Sequence, residues 1–404
     1  MQGGALSHLR VLDLSRVLAG PWASQVLADL GAEVIKVERP GEGDETRAWG
    51  PPWLRDARDH ETSESAYFAS ANRGKRSLTV DISRPEGQAI IHRLLERSDV
   101  LLENYKVGAL ARHGLGWEQV SARHPRVVYC SISGFGQSGP YSGRAGYDFL
   151  VQAMGGLMSI TGSPDGPPTK VGVAIADVLT GMYAATAVLA ALAHRDRSGR
   201  GQHVELALLD VQIATLANQV ENYLVTGRSP QRLGNSHPSI VPYQAFATRD
   251  GHAVLAVGND GQFARFCAAA GRPELAGDER FSTNSARVRH REELVRLLEP
   301  MLATRTTREW ASALDAASVP FGPINDLAAV FDDPHVRARG LRVEAPHATC
   351  GHVPMIASPI RLSGTPARHD LAPPTLGQHT REVLVDVLGM DDSEVEALRS
   401  RGII

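Results

Sequence analysis

Cysteine is nearly absent. Three residues, Cys130, Cys267 and Cys350, serve a chain of 404, far apart and with no C-x-x-C. That spacing excludes a disulfide scaffold and the common zinc sites. Charge of one sign is missing too: a formal balance of −3 leaves no electrostatic footprint for nucleic acid or an acidic membrane. No uninterrupted apolar run reaches membrane-spanning length, and the start, MQGGALSHLR, carries no signal-peptide hydrophobic region. The expectation is a cytoplasmic protein with no nucleic-acid or membrane partner. Also absent are H-E-x-x-H, G-x-x-x-x-G-K-[ST] and G-x-S-x-G; Gly136-Gln137-Ser138-Gly139 is one residue too short for a nucleophile elbow. Metal, nucleotide-hydrolysis and serine-hydrolase chemistries therefore lack their signatures.

What is present reads as an ordinary globular composition, 43% hydrophobic and 22% charged, in a chain long enough for two domains. Strand-like 10–15, helical 21–31 and strand-like 33–38 make a βαβ unit, hence a parallel sheet. The loop between them, Arg16 to Pro21, lacks the glycines of a dinucleotide fingerprint, and Glu38 alone only mimics the ribose-binding acid. A basic cluster, Asn72-Arg73-Gly74-Lys75-Arg76, precedes a predicted strand at 78–82; its chemistry suits a phosphate, and a solvated basic turn is the plainer alternative. Long apolar helices are predicted over 173–194 and 204–224. After Gly227 the pattern changes to a hairpin across Arg249-Asp250-Gly251 and further helices, an α+β unit that ends near Pro323. The domain expectation is a large α/β part at 1–200, a linking helix at 201–227, a small α+β domain at 228–325, and a linker returning to the large domain at 326–404.

The stretch Cys130 to Gly156, CSISGFGQSGPYSGRAGYDFLVQAMGG, is the most informative. A buried-looking strand runs into two glycine turns, and glycines let backbone N–H groups approach a ligand. Asp148 is the carboxylate placed where this loop gives way to apolar sequence. It is the candidate for chemistry, with a helix N-cap as the alternative. His379 reads as a cap or packing residue, and Gly258 to Gln262 as either a site loop or a plain strand-to-helix connection.

Taken together, VLDLSRVLAGPWASQVLADLGAEVIKVERPGEGD, NRGKRSLTVD, ENY, SGFGQSGPYSGRAGYDFLVQAMGG, GRGQHVELALLD, GNSHPSIVPYQAF and VGNDGQF resemble class III CoA-transferases, the CaiB/BaiF or formyl-CoA transferase-like family, in order along nearly the whole chain. The second half is especially similar to succinate–hydroxymethylglutarate (glutarate) CoA-transferases. The resemblance implies a Rossmann-like large domain built from both chain ends, a smaller inserted domain, and two ring-like subunits interlocked as a homodimer. It implies Asp148 as nucleophile. It implies CoA contacts from Val17, Leu18, Ala19, Arg39, Asn72, Arg73, Lys75, Asn104 and Tyr105. Gly134, Phe135, Gly136 and Gln137, with Gly258, Asn259, Asp260, Gly261 and Gln262, would form the active-site loops; GNDGQ departs from the family's all-glycine run. No permanent cofactor and no metal are implied. Coenzyme A and an acyl-CoA are substrates, with a dicarboxylic acid (glutarate, 3-hydroxymethylglutarate or itaconate) as acceptor and succinyl-CoA as donor. His237, Arg200 and Arg232 are candidates for its distal carboxylate, or ordinary turn residues. Within the fold the runner-up is an α-methylacyl-CoA racemase, which places His where Tyr147 stands here; a non-catalytic CoA-binding protein is the third reading.

Overall fold

A computed structural model describes residues 4–404. Its contacts divide the chain into two units. One comprises the residues up to Leu157, Val171–Thr226 and Arg337–Ile404; the other comprises Met158–Lys170 and Gly227–Val336. The segment 158–170, assigned to the large domain from sequence, thus belongs to the small unit, and the return to the large unit comes at Arg337.

The large unit is organised by six parallel strands: β1 (Arg10–Asp13), β2 (Glu33–Glu38), β3 (Lys75–Thr79), β4 (Val100–Glu103), β5 (Val128–Ser133) and β6 (His203–Ala207). They lie in the order β3-β2-β1-β4-β5-β6, the doubly wound order whose crevice opens at the carboxyl ends where the winding reverses. Neighbouring residues on each strand alternate between two cores, as a sheet covered on both faces requires. Leu12, Ile35, Leu101 and Tyr129 face one core, shared with Ile90, Ile91 and Leu94 of helix α2 (Pro85–Leu95) and with Val383 and Leu384 near the C-terminus. Val11, Val34, Val100 and Val128 face the other, shared with Ala23 and Leu27 of helix α1 (Ala19–Asp29).

Two helices set up the site. Helix α3 spans Asp148–Met154, and helix α4 spans Ile175–Ser198. By length and composition α4 could cross a membrane, but Ala184, Val188, Ala191 and Leu192 pack into the second core. Gly181 lets it cross α1 closely: a Cβ there would stand 2.7 Å from the Ala19 carbonyl oxygen.

The helix expected over 204–224 is instead β6 followed by α5 (Leu208–Ala214) and α6 (Asn218–Thr226). Backbone pairing of 203–207 with β5 outweighs the apolar helical pattern, because it extends the sheet by a strand. The predicted strand at 78–82 lies three residues earlier, as Lys75–Thr79. A short hairpin, Trp53–Arg55 with Glu61–Ser65, forms from the polar excursion after β2.

In the small unit, Tyr243–Thr248 and Gly251–Ala256 form the expected hairpin, and Phe321–Pro323 adds a third antiparallel strand. Phe263, Phe266, Phe281, Leu298 and Trp310 fill its core.

Candidate active site

Asp148 is brought to the end of β5 by two glycines that touch. A Cβ on Gly134 would lie 2.5 Å from the Gly146 Cα, so no other residue pair permits this crossing of the loop. Phe135 meets Tyr141 edge to face, with the Arg144 guanidinium over both rings. The Gly136 N–H donates to Ser133 Oγ at 2.9 Å and the Gln137 N–H to Glu205. Of the four loop residues named from sequence, Gly134 touches Gly146, two residues before Asp148, and the Gly136 and Gln137 N–H groups have internal acceptors.

Asp148 is not a helix cap of its own element; Tyr147 holds that place. Its carboxylate reaches the amino end of α4 instead. Oδ1 accepts from the Ala176 N–H at 2.8 Å and more weakly from the Asp177 N–H at 3.4 Å, while Oδ2 accepts from Gln152 Nε2 at 2.7 Å. Gln152 is fully buried and also accepts from the Val171 N–H at 2.9 Å, tying α3 to the segment that leads into α4. Both oxygens of Asp148 are thus engaged in orienting that helix end, whose dipole favours a negative charge there.

This arrangement places a second carboxyl, Asp177, beside the first. Among the described residues its side chain has no hydrogen-bond or ion-pair partner. Burial, then the charge of Asp148, pushes its pKa up to about 7. The Tyr67 phenol is raised by burial and then by the charges of Asp177, Asp148 and Asp44. Asp177 was not legible from sequence: GVAIADVLTG reads as an apolar helix start, and the one signal was an acid inside it.

At the carboxyl ends of β1, β2, β3 and β4 opens a cleft of about 430 Å³. Arg16, Glu38, Arg39, Asp81, Ser83 and Tyr105 are among its lining residues. Arg39 and Tyr105 are residues the sequence named for CoA; the Arg16 guanidinium, which it did not name, stacks over the Tyr105 ring at 5.0 Å. Leu18 and Ala19 are buried. Val17 adopts φ +69°, a strained conformation for a β-branched residue that costs about 1–3 kcal/mol.

Three residues expected at the phosphates, Asn72, Arg73 and Lys75, have their side chains engaged inside the protein. Lys75 is fully buried, donating to Pro21 O at 2.9 Å and Asn72 Oδ1 at 2.8 Å and pairing with Asp13 at 3.3 Å. Burial drives its ammonium down to about 7, opposed by Asp13. Asn72 also donates to Phe68 O, and Arg73 forks onto Asp29, with Nε at 2.8 Å. Sheet and helix packing turn this cluster inward, and each of the three side chains is engaged with protein groups. Asn104 likewise binds protein, clamping the backbone of Arg16.

The remaining candidates lie in the small unit or on loops. Asn259 caps helix Asp260–Ala269 through the Gln262 N–H, and the Gly258 N–H donates to Gln262 Oε1 at 2.7 Å. Asp260 pairs with the buried Arg287 at 2.8 Å. Gly261 opens that helix, and the segment has the form of a capped strand-to-helix connection. Arg232 binds the Ser163 and Gly166 carbonyls, and His237 Nδ1 accepts from the Ser239 N–H. His379 Nδ1 accepts from the Ser77 N–H, the packing role its sequence context suggested. Arg200, in the turn after α4, is exposed. No cluster of three or more potential metal ligands occurs among the described residues.

The pattern that defines CoA-transferase family III matches residues 6–380. Succinate–glutarate CoA-transferase of Agrobacterium fabrum is 51% identical over 95% of this chain and 95% of its own. Succinyl-CoA:glutarate CoA-transferase of Mus musculus is 45% identical over 99% of this chain and 90% of its own. Among solved structures, a CAIB/BAIF family protein from Brucella suis superposes with a TM-score of 0.84 at 46% identity, covering 96% of this chain and all of that one.

Proposed function

The chain belongs to CoA-transferase family III, and from that premise we propose that it moves coenzyme A from succinyl-CoA to glutarate through a covalent aspartyl intermediate on Asp177. The substrate pair follows the names of the Agrobacterium and mouse relatives. The observation that carries the chemistry is the unpartnered Asp177 carboxyl beside the fully engaged Asp148. A nucleophilic carboxylate needs a free lone pair and little solvation. Asp177 is partly buried and its carboxyl has no partner among the described residues, whereas both Asp148 oxygens accept hydrogen bonds. The nucleophile expected at Asp148 is therefore reassigned one helix away, and Asp148 becomes the residue that orients it.

The bookkeeping of atoms is closed. An Asp177 oxygen attacks the thioester carbonyl of succinyl-CoA, and the CoA thiolate leaves, giving a succinyl–aspartyl anhydride. The thiolate attacks the aspartyl carbonyl and releases succinate, leaving an aspartyl–CoA thioester. A glutarate carboxylate displaces the thiolate from that thioester to give a glutaryl–aspartyl anhydride. Attack of the thiolate on the glutaryl carbonyl then yields glutaryl-CoA and free Asp177. No proton, ATP or water is consumed, and water must be excluded from the anhydrides.

Arg16, Arg39 and Tyr105 are the residues of the crevice we assign to the nucleotide end of CoA, in the place where doubly wound sheets bind such groups. A homodimer fits the apolar side chains left outside: Tyr147, Phe149, Leu224 and Val225 are each more than half exposed.

The experiment is mass spectrometry of CoA esters after mixing purified protein, succinyl-CoA and a panel of acids: glutarate, 3-hydroxymethylglutarate, itaconate, malate and oxalate. Glutaryl-CoA matched by free succinate is the expected result. Exchange with other acids but not with glutarate would overturn the substrate assignment.

A further inference from the structure

Val17 is held in a backbone conformation that its own side chain opposes. Three side chains from separate elements converge on this turn. Both Asp44 oxygens accept from the Val17 N–H at 3.2 Å. Lys36, completely buried with Asp44, donates to that carboxylate and to the Ser15 carbonyl, each at 2.9 Å. The Asn104 amide accepts from the Arg16 N–H at 2.9 Å and donates to the Arg16 carbonyl at 2.7 Å. Lys36 stands on β2, Asp44 in the loop beyond it, and Asn104 just past β4, so the sheet itself fixes the turn.

The turn is also close to the acid pair. Gly181, one helical turn beyond Asp177 on the same face of α4, packs on the Ala19 carbonyl. Tyr67 lies within the field of Asp44 as well as Asp148 and Asp177.

We propose that Asp44 is a positioning residue that, through the Val17 N–H, holds the strained Ser15–Leu18 turn where its backbone meets the acyl end of the bound thioester. The proposal rests on the reaction proposed above. Strain persists at such a position only where surrounding groups over-determine it, and functional sites are where it collects. If Asp44 works against the steric preference of Val17, then a residue without that preference should not need Asp44.

The test is a cycle of four full-length proteins: wild type, Asp44→Asn, Val17→Gly, and both together. Each is assayed for glutaryl-CoA formation, with kcat and KM determined separately. In the wild-type background Asp44→Asn should lower kcat about tenfold or more, with KM for glutarate shifted less than about threefold. In the Val17→Gly background the same change should lower kcat less than about threefold, since glycine takes a positive φ freely. A merely structural Asp44 would cost the same factor in both backgrounds, and that result overturns the proposal.

Should Asp44→Asn fail to fold, with Lys36 left buried and unpaired, Asn104→Ala in the same two backgrounds makes the comparison without altering charge. Deuterium uptake by the peptide covering 14–22 is read alongside and needs no turnover. Either substitution should accelerate it when residue 17 is valine. Accelerated exchange in a protein that makes no glutaryl-CoA would sink the reaction and keep the lock. Normal transfer with unchanged exchange and equal kcat losses would sink the lock and keep the reaction.

Discussion

Two aspartates, Asp148 and Asp177, lie 29 residues apart in sequence and meet where the Asp177 N–H donates to Asp148; in the proposed reaction they divide the work. The difference between them is in their hydrogen bonds. Asp148 is satisfied on both oxygens, and Asp177 is left with its charge poorly solvated. Replacing Asp177 by Asn should therefore lower turnover by about 10³-fold or more, and Asp148→Asn by about 10²-fold through misplacement of the α4 end. Steady-state kinetics on the two variants checks the order; equal or inverted losses contradict it. The pH dependence follows from the raised pKa. Below about 7 Asp177 is protonated and no nucleophile is present, so kcat should fall with acid through an apparent pKa near 7. A profile flat from pH 5.5 to 8 would place the nucleophile elsewhere. Sequence pointed to Asp148 because a double glycine turn marks it. It passed over Asp177, which comes beside Asp148 only when the loop folds back onto α4. The basic cluster misled for a related reason: the acids that bury Lys75 and Arg73 are 62 and 44 residues away, and no local pattern records them.

At the scale of elements, the crossing of α1 and α4 sets where Asp177 stands. Gly181 is required by space, since a methyl group at that position would also stand only 2.9 Å from Trp22 Cβ. Alanine gains about 1 kcal/mol of helix propensity over glycine, while overpacking a tight contact costs about 1–3 kcal/mol. The steric cost wins, so Gly181→Ala should lower stability in urea unfolding and reduce kcat with it. A more stable variant would mean that the two helices adjust freely. The βαβ start and the small-unit hairpin were legible because each is a local pattern bounded by turn residues. Strand β6 was not, since five residues, His203–Ala207, sit beside apolar helical sequence and become a strand only by pairing with β5.

For the whole molecule, the discontinuous large unit explains why sequence boundaries slipped at 158–170: that segment lies inside the large unit's sequence yet makes its contacts with residues beyond Gly227. Helix α6 has no buried residue within its own chain, and Leu224 and Val225 stand 67% and 75% exposed. Light scattering should give twice the 43.4 kDa chain mass, and Leu224→Glu should shift the population toward monomer at micromolar concentration. A wild-type monomer would leave these side chains without a partner and contradict the dimer.

Trapping the acyl group bound to the protein tests the aspartyl intermediate directly. Protein mixed with succinyl-CoA is quenched with hydroxylamine, which converts an activated aspartyl carbonyl to a hydroxamate, and the modified peptide is mapped by mass spectrometry. The hydroxamate is expected on Asp177, with none in protein incubated without thioester. A hydroxamate on Asp148, or rapid glutaryl-CoA formation with neither residue labelled, would contradict that assignment.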